Sequence, residues 1–395
     1  MNRVRIVGGG LAGVLAALEA HRLGARRIEL HEHFDQLGGE LWPRVEHGLE
    51  LRRRCVYFGG REDPVRKALE WRGVAFEDVA DHCGSLSPSP RGEALATRDF
   101  SGPVLYARDN AYQRLAGEAL TDRIRAYPAD LHGPLTRYCQ WRLGVWLDEV
   151  HASAAGAIGL EKVRLTSMPP PETVPEASLP RDGFAAMFLG LRRALEGLGV
   201  ELHFNSLVSP RELIETDDGE TVNVWTAAPG PLFDAIGRPQ PKSVADTVAS
   251  YVIAARWAGP TPFQLRNFTA KGSVFRLSFY ESRGETLLSA ECVNEVSDKA
   301  LRREIQRLMA GFGGQTLKLG ETLACDVSTR SDCLSTETAR RLLVLRSALA
   351  RKCGPNFITG AWEAWDMNER FRRISRALAP ALTVVEDITQ SRAAA

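Results

Sequence analysis

The chain has 395 residues, more than the roughly 250–300 that one hydrophobic core usually serves, so we expect two or three lobes. Its 50 Lys and Arg balance 49 Asp and Glu without any block of like charges, which argues against nucleic acid as the main partner and against an electrostatic membrane tether. A hydrophobic fraction of 44% with 25% charged residues is typical of a folded globular protein and excludes disorder as the main state.

The cysteines and the apolar runs predict the compartment. Seven cysteines are scattered along the chain with no C-x-x-C pair and no zinc-like spacing, which excludes a disulfide scaffold. The first apolar run is too short for a signal peptide, and no stretch of about 18 apolar residues follows. We therefore predict a cytoplasmic protein without a membrane span.

The first 32 residues read as strand, tight turn, helix and strand. Residues 4–7 form an apolar run that ends at glycines, and apolar positions then recur at helical spacing as far as Gly24. Residues 28–32 form a second short strand. This is a βαβ unit with parallel strands, so the predicted fold class is α/β.

Further along, residues 109–161 have apolar side chains at helical spacing, which predicts a helical lobe. Five prolines crowd the segment before residue 181, and this segment is predicted to be a loop. Residues 250–257, 273–280 and 286–292 have strand character with glycine-bearing turns between the last two, which indicates an antiparallel sheet. The other predicted elements are helices at 183–198, 336–352 and 366–378 and strands at 200–204, 222–226 and 356–359.

The turn of the βαβ unit matches G-x-G-x-x-G as Gly8, Gly10 and Gly13, with Leu11 and Ala12 between the last two. The first glycine allows the turn, the second lets a pyrophosphate approach the backbone, and the third lets helix and strand pack closely. Glu32 ends the second strand at the distance expected of an acid that binds ribose hydroxyls. The motif predicts a cofactor with an ADP moiety.

After Glu32 a glycine pair follows, Gly38 and Gly39. This acid and glycine pair resemble FAD-dependent amine oxidases and their relatives, so the resemblance implies FAD, with both glycines close to its phosphates. His31 and His33 flank Glu32 but have no third ligand nearby, and we predict no metal site.

Several separate stretches carry a more specific resemblance. They are residues 48–52, the Pro-x-x-Gly-Phe segment at 180–184, residues 224–234, and Gly360 followed by Asp366, Met367 and Asn368. In this order they resemble UDP-galactopyranose mutase, an FAD enzyme that interconverts the pyranose and furanose forms of a nucleotide sugar. The resemblance spans most of the chain and implies that Gly360, Asp366, Met367 and Asn368 contact the flavin.

The same resemblance implies a substrate site. Arg164, Arg276 and Lys242 match cationic positions around the diphosphate, and Trp146 matches a tryptophan of the substrate cleft. Three cations around one cleft suit an anionic substrate, because buried positive charge is costly without a partner. The implied partner is therefore an anionic small molecule, and a flavin reduced before turnover would need NAD(P)H or another reductant.

The chain also departs from the mutase pattern. Tyr57 stands where the family has a histidine near the flavin, and Ala361 replaces an arginine. The family's tyrosines near the C-terminal motif are missing, and Trp362 and Trp365 stand in that region as candidates for stacking on a ring. No catalytic residue is assigned, and Tyr57 and Arg276 are the candidates expected near the flavin.

These observations leave three hypotheses for function. The first is an isomerase like the mutase, in which reduced flavin N5 acts as a nucleophile on an anionic sugar derivative. The second, favoured by the departures, is an FAD-dependent amine or alcohol oxidoreductase. The third is a flavoprotein without catalysis. The predicted domains are FAD-binding segments at 1–85, 184–235 and 336–395, a helical lobe at 86–163, a Pro-rich loop at 164–183 and an antiparallel substrate domain at 236–335.

Overall fold

The structure is a computed structural model that describes residues 3–53, 56–80, 82–88, 94–99, 104–107, 117–161, 163–165, 176–215, 220–241, 244–364 and 366–394. The strands in these residues are β1 (Arg3–Val7), β2 (Arg27–His31), β3 (Arg44–Glu46), β4 (Leu49–Leu51), β5 (Phe58–Gly59), β6 (Phe76–Ala80), β7 (His82–Pro88), β8 (Ala94–Asp99), β9 (Val104–Leu105), β10 (Arg164–Leu165), β11 (Glu176–Pro180), β12 (Glu201–His203), β13 (Thr221–Trp225), β14 (Val244–Arg256), β15 (Phe263–Asn267), β16 (Val274–Ser282), β17 (Glu285–Cys292), β18 (Lys318–Cys333) and β19 (Phe357–Thr359). The helices are α1 (Leu11–Arg22), α2 (Pro64–Glu70), α3 (Leu120–Arg125), α4 (Ala129–Leu143), α5 (Ala154–Ala157), α6 (Gly183–Gly197), α7 (Pro210–Glu215), α8 (Gly230–Ala235), α9 (Asp298–Met309), α10 (Thr336–Cys353) and α11 (Met367–Ala394).

A five-stranded parallel sheet in the order β12-β2-β1-β13-β19 forms the centre of the first domain. Val4 and Ile6 of β1 are completely buried, because helices α1, α6 and α11 pack around this sheet in one apolar cluster. The domain is assembled from segments far apart in the chain. Since the strands are parallel, the loops after β1, β13 and β19 meet at one edge, where open α/β sheets bind their ligands.

A seven-stranded sheet in the order β18-β14-β17-β16-β15-β7-β8 forms the second domain. Its neighbouring strands are antiparallel except for β7 and β15, which run parallel. Helix α9 covers one face, where Leu301 and Ile305 pack with Leu277, Phe279 and Leu288 of the sheet. Successive side chains of a strand point to opposite faces of the sheet, so the residues that alternate with these apolar positions form a second face of different composition.

Helices α3, α4 and α5 form a small lobe with its own apolar core, which includes Leu131, Leu135 and Tyr138. Val244 and Phe268 from the second domain pack into the same core, so this helical lobe is fixed against the seven-stranded sheet. None of the described helices is both long enough and apolar enough to cross a bilayer.

Three predicted segments differ from the structure. The helix predicted at 366–378 continues to Ala394 as α11. The predicted helical lobe at 86–163 is wrong in its first part, because β8 and the end of β7 lie there and belong to the seven-stranded sheet. The predicted Pro-rich loop contains β10 and β11, and β11 pairs with both β5 and β6. Glycine, serine and proline in these segments resemble turn sequences, and pairing with distant strands outweighs that local preference. The domain boundaries themselves stay predictions.

Candidate active site

The glycine turn brings β1 and α1 closer together than side chains would allow. A Cβ atom on Gly13 would lie 1.8 Å from the carbonyl oxygen of Gly8. Gly8 itself has a φ of +106°, and a Cβ there would lie 2.8 Å from the backbone nitrogen of Ala227 in the loop after β13. Both positions therefore require glycine for the close packing of strand, helix and neighbouring loop.

Gly10 has a different environment. It is the residue before α1 and has an extended conformation, with φ −65° and ψ 176°. A Cβ on Gly10 would meet no atom within 4 Å. Free space therefore lies at the start of α1, where the backbone N–H groups of Leu11 and Ala12 have no partner within the helix. A phosphate group fits the charge and the hydrogen-bonding capacity of such a helix start.

Glu32 follows β2 at the same edge of the sheet and is only 7% exposed. One carboxylate oxygen accepts a hydrogen bond from the backbone N–H of Gly9, and the other accepts one from the N–H of Phe34 at 2.9 Å. Each oxygen has a further lone pair, so the carboxylate can also accept hydrogen bonds from ribose hydroxyl groups.

Gly38 and Gly39 lie directly against the first glycine turn. Both have positive φ angles, +121° and +53°. The N–H of Gly38 donates to the carbonyl of Gly9 at 2.9 Å, and a Cβ on Gly39 would lie 3.3 Å from the Cα of Gly10. The two glycine groups, far apart in sequence, therefore border the same space.

The C-terminal segment reaches the same edge of the sheet. The N–H of Gly360, which follows β19, donates to the carbonyl of Trp225 at 2.7 Å. Met367 begins α11 and packs against the core around α1. Asn368 uses both ends of its amide to join α11 to the start of α2, since it donates to Asp63 at 2.7 Å and accepts from the N–H of Val65 at 3.2 Å.

The Asn368 amide therefore serves helix packing, in contrast to the flavin contact implied by the resemblance. Asp366 is exposed and accepts a hydrogen bond from the N–H of Asn368 at 3.3 Å.

A cleft continues from Gly39 along the chain. It is open to solvent and is lined by Glu40, Leu41, Trp42, Pro43, Arg52, Arg53, Val56 and Phe184. We call it the Arg52 cleft. It adjoins the glycine turns on one side and the seven-stranded sheet on the other, which is where a group attached to a dinucleotide would extend.

The sequence-based prediction missed Arg52, which lines this cleft, and Glu50, which pairs with it. Arg52 is 8% exposed, pairs with Glu50 at 3.1 Å, and lies over the rings of Phe184 and Tyr280 at 5.1 and 4.9 Å. Glu50 also accepts from the N–H groups of Phe184 and Ala185 at 3.2 and 2.8 Å, so it caps the start of α6. The guanidinium group of Arg52 is thus fixed in position by a carboxylate and two rings. Arg52 lies in the segment 48–52 that resembles the mutase, and this resemblance was the sequence signal that could have identified it.

The face of the seven-stranded sheet opposite α9 is polar, with most of its polar residues buried and its two arginines half-buried. We define the polar face by the residues Gln264, Arg266, Arg276, Ser278, Tyr280, Ser289 and Glu291. Their registers place Arg266 opposite Arg276, Arg276 opposite Glu291, Gln264 opposite Ser278, and Ser278 opposite Ser289. Polar groups that are buried in rows without a solvent-facing role are characteristic of a ligand chamber.

The polar face meets the Arg52 cleft directly. The hydroxyl group of Tyr280 accepts from the N–H of Arg52 at 2.9 Å and donates to the carbonyl of Glu50 at 3.1 Å. Ser289 donates to the carbonyl of Arg53 at 3.4 Å. Tyr57, a flavin-proximal candidate from the sequence, packs in the same cluster as Tyr280. The cleft and the polar face therefore form one continuous site.

Of the predicted cationic residues, Arg276 lies on the polar face, but its guanidinium Nε donates to Glu291, whose side chain is only 1% exposed. This corrects the expectation of an uncompensated charge at Arg276. Arg164 lies on β10 in register with Val104, and the N–H of Val104 donates to Ser85 at 2.9 Å on the neighbouring β7. Arg164 is thus near the rim of the polar face. Lys242 lies outside the described residues.

The predicted tryptophans lie elsewhere. The side chain of Trp146 is 74% exposed on the helical lobe and does not line the Arg52 cleft. Trp362 donates its indole N–H to the carbonyl of Ala227 at 2.9 Å and packs with Trp225 and Phe233. Its side chain packs beneath the sheet edge, and the substrate contact expected of it stays a prediction. Trp365 lies outside the described residues.

No protein-family model matches the chain, and neither does any curated protein. Solved structures are similar over nearly its whole length. Reduced UDP-galactopyranose mutase has a TM-score of 0.66 at 11% identity, and the match covers 99% of this chain and 94% of that one. A putrescine oxidase redesigned in its cofactor binding has a TM-score of 0.59 at 14% identity over 96% and 99% of the two chains. A fatty acid isomerase from P. acnes has a TM-score of 0.57 at 14% identity over 96% and 98%.

The chain therefore has the fold of these enzymes, a Rossmann-type nucleotide-binding domain combined with a separate antiparallel sheet. This confirms the predicted fold class. The likeness is one of fold, and it includes enzymes with different names on one architecture, both oxidases and isomerases.

Proposed function

We propose that this protein is an FAD-dependent enzyme that transforms a small molecule between the Arg52 cleft and the polar face. The observation that carries the proposal is the free space at Gly10, which borders Gly39 and the start of α1 and is adjacent to the buried carboxylate of Glu32.

Different described residues would bind different parts of the cofactor. The N–H groups of Leu11 and Ala12 would bind the pyrophosphate, Glu32 the ribose, and Gly38 and Gly39 would let the chain pass beside the phosphates. Gly360 and the start of α11 border the same edge. Bound FAD would supply an isoalloxazine ring able to exchange electrons or, when reduced, to act as a nucleophile. Arg52 and the polar face would then orient the substrate and exclude water.

The test is a substitution of Gly10 that leaves the protein intact. Because a Cβ atom at Gly10 would meet no protein atom within 4 Å, we expect Gly10→Val to fold normally and to occupy the phosphate space. We expect wild-type protein to be yellow with bound FAD and the variant to lose at least nine-tenths of the flavin absorbance, by about a tenfold or larger loss of affinity. Gly190→Val on α6 is the matched control, since its Cβ also meets nothing within 4 Å. Wild-type flavin content in Gly10→Val would contradict the proposal.

Two reaction classes are supported by different observations. Isomerisation of an anionic nucleotide sugar is supported by the likeness to UDP-galactopyranose mutase over 99% of the chain. Oxidation of an amine or alcohol is supported by the pairing of Arg276 with Glu291, which reduces the positive charge available to a diphosphate. Tyr57 in place of the family histidine supports oxidation as well.

An anaerobic stopped-flow experiment separates these classes. An oxidase substrate should bleach the oxidised flavin directly, whereas UDP-galactopyranose should turn over only on dithionite-reduced enzyme and consume no reductant. Amines and alcohols are the probes for the first result. Bleaching by a substrate would overturn the isomerase, and bound flavin without turnover of any of these compounds would indicate a flavoprotein without this catalysis.

A further inference from the structure

Arg266 is the second arginine of the polar face and lies beside the ion pair of Arg276 with Glu291. It lies on β15, directly opposite Arg276 on β16 and in register with Ser85 on β7. Within the part of the chain that the structure describes, its guanidinium group makes no hydrogen bond and no ion pair. Burial, and then the charge of Arg276, lower the pKa of Arg266.

The helical lobe encloses this guanidinium group. A Cβ on Gly159, between α5 and β10, would lie 2.0 Å from Nη1 of Arg266, so the side chain lies against the backbone of the lobe. Burial raises the pKa of the nearby Tyr138 to about 12, while the charges of Arg142, Arg266 and Arg276 oppose that shift. Several guanidinium groups therefore converge on one enclosed region, in which Glu291 pairs with Arg276.

Two neutral polar side chains border Arg266. Gln264 is 7% exposed and Ser278 is 1% exposed, and they lie opposite each other one step along the polar face. Neither side chain hydrogen-bonds to any residue that the structure describes. Their polar atoms are not among the fully enclosed side-chain atoms that lack a partner, so this pair together with Arg266 presents donors that a ligand can still reach.

We propose that Arg266, with Gln264 and Ser278, binds a carboxylate group of the substrate. The guanidinium fork matches the two oxygens of a carboxylate, and the amide and hydroxyl groups supply further hydrogen bonds. A single carboxylate matches the one charge of the Arg266 guanidinium, whereas a diphosphate carries more negative charge than Arg266 offsets. The proposal rests on the proposed function, because it places the reacting end of the substrate at the Arg52 cleft.

The dimensions of the sheet agree with this placement. Tyr280, at the cleft, follows Arg276 by four residues on β16, which corresponds to about 13–14 Å along the strand. A substrate of moderate size anchored at Arg266 would therefore extend along Gln264 and Ser278 towards Arg52.

Calorimetric titration of the purified protein with benzoate, acetate, benzamide and pyrophosphate tests the proposal. We expect benzoate to bind more tightly than benzamide, its uncharged analogue, and Arg266→Gln to weaken benzoate binding about 10- to 100-fold with no change for benzamide. Arg266→Lys, which keeps the charge and loses the fork, should lose less. Arg256→Gln is the control, because Arg256 is an exposed arginine on β14 of the same sheet.

Thermal unfolding of the ligand-free variants gives a second measurement. If Arg266 served only to stabilise the fold, its removal would lower the melting temperature. Removing an unpaired, desolvated charge should leave the melting temperature of Arg266→Gln equal to or above that of wild type. The inference would be overturned by a lowered melting temperature of Arg266→Gln, or by benzoate affinity in that variant equal to that of wild type. It would also be overturned if neither carboxylate bound in an Arg266-dependent way, or if pyrophosphate bound more tightly than benzoate. Flavin absorbance is measured in the same samples, so a protein without FAD that still binds benzoate through Arg266 contradicts the cofactor proposal alone and supports this one.

Discussion

Gly10 and Gly13 are three residues apart and have opposite environments. The space beside Gly13 is filled by the carbonyl oxygen of Gly8, whereas the space beside Gly10 is free of protein atoms. One glycine therefore serves the packing of strand against helix, and the other leaves room for a ligand. Stability and cofactor affinity can be changed separately at this turn.

We predict that Gly13→Ala lowers the free energy of unfolding by about 2–3 kcal/mol, because its Cβ would overlap the Gly8 carbonyl and force α1 away from β1. Gly10→Ala should change stability by no more than about 0.5 kcal/mol, because nothing opposes its Cβ. Urea unfolding of both cofactor-free proteins measures the difference. Equal destabilisation by the two substitutions would show that the space at Gly10 is not free.

Glu50 combines two duties, since it neutralises Arg52 and caps α6. Glu50→Ala would leave the buried guanidinium unpaired and should cost about 3–5 kcal/mol. Glu50→Gln keeps an acceptor oxygen for the α6 cap and should cost less, about 1.5–3 kcal/mol. Urea unfolding is again the measurement.

Glu196→Ala is the matched control, because Glu196 forms an exposed ion pair with Arg192 on the same helix at 3.0 Å. We expect its cost to be below about 0.5 kcal/mol. A cost for Glu50→Ala as small as that of this control would contradict the fixed position of Arg52.

At the scale of helices and strands, α1 and α11 are joined across the first domain by Glu19. Its buried carboxylate accepts hydrogen bonds from Arg22 at 2.7 and 2.8 Å and from Ser375 of α11. The hydrogen bond from Arg22, the largest influence, lowers the pKa of Glu19 despite its burial. The N-terminal and C-terminal segments of the chain are thus linked by a group whose charge depends on pH.

Because the pKa of Glu19 is lower in the folded protein than in the unfolded chain, this group stabilises the fold above the ordinary carboxyl pKa of about 4.3 and loses that contribution as the pH falls through its folded-state value. We predict that Glu19→Gln costs about 1–2 kcal/mol at neutral pH and progressively less in acid. Urea unfolding at a series of pH values tests this. A cost independent of pH would mean that the carboxylate charge is not responsible.

The sequence allowed the elements of the first domain to be predicted well. Helices α1, α6 and α10 and strands β1, β2 and β13 lie within a few residues of their predicted positions, because each has an apolar period that one element can satisfy locally. Strands β7 and β8 were missed, since β7, with its Gly, Ser and Pro residues, acquires strand structure by pairing with β15, and β8 does so by pairing with β7.

The site residues also differ in whether a local sequence pattern predicts them or contacts between distant segments determine them. The glycine turn and Glu32 form a local pattern with a fixed spacing, so they were found. Arg266 was not found, because polar residues at every second position of a strand, here Gln264 and Arg266, normally indicate a solvent-facing surface. The helical lobe, whose backbone at Gly159 lies against Arg266, packs over that face through contacts between distant segments and leaves Arg266 half-buried.

At the scale of the whole molecule, a bound cofactor would contact segments at both ends of the chain, after β1, β13 and β19. Binding to the folded state alone stabilises it, by about 2.7 kcal/mol at a ligand concentration 100 times the dissociation constant. We therefore predict that removal of FAD lowers the melting temperature and that added FAD restores it. Differential scanning calorimetry measures this shift, and Gly10→Val should abolish it. A melting temperature independent of FAD in the wild-type protein would contradict cofactor binding at this edge.

The two faces of the seven-stranded sheet depend on alternate positions of the same strands. Leu277 and Phe279 hold the sheet to α9, while Arg276 and Ser278, which alternate with them along β16, lie on the polar face. Divergence of substrate preference can thus proceed through every second codon of β15, β16 and β17 without altering the apolar layer that keeps the domain folded. A library randomised only at these inward positions would sample new specificities on an unchanged scaffold.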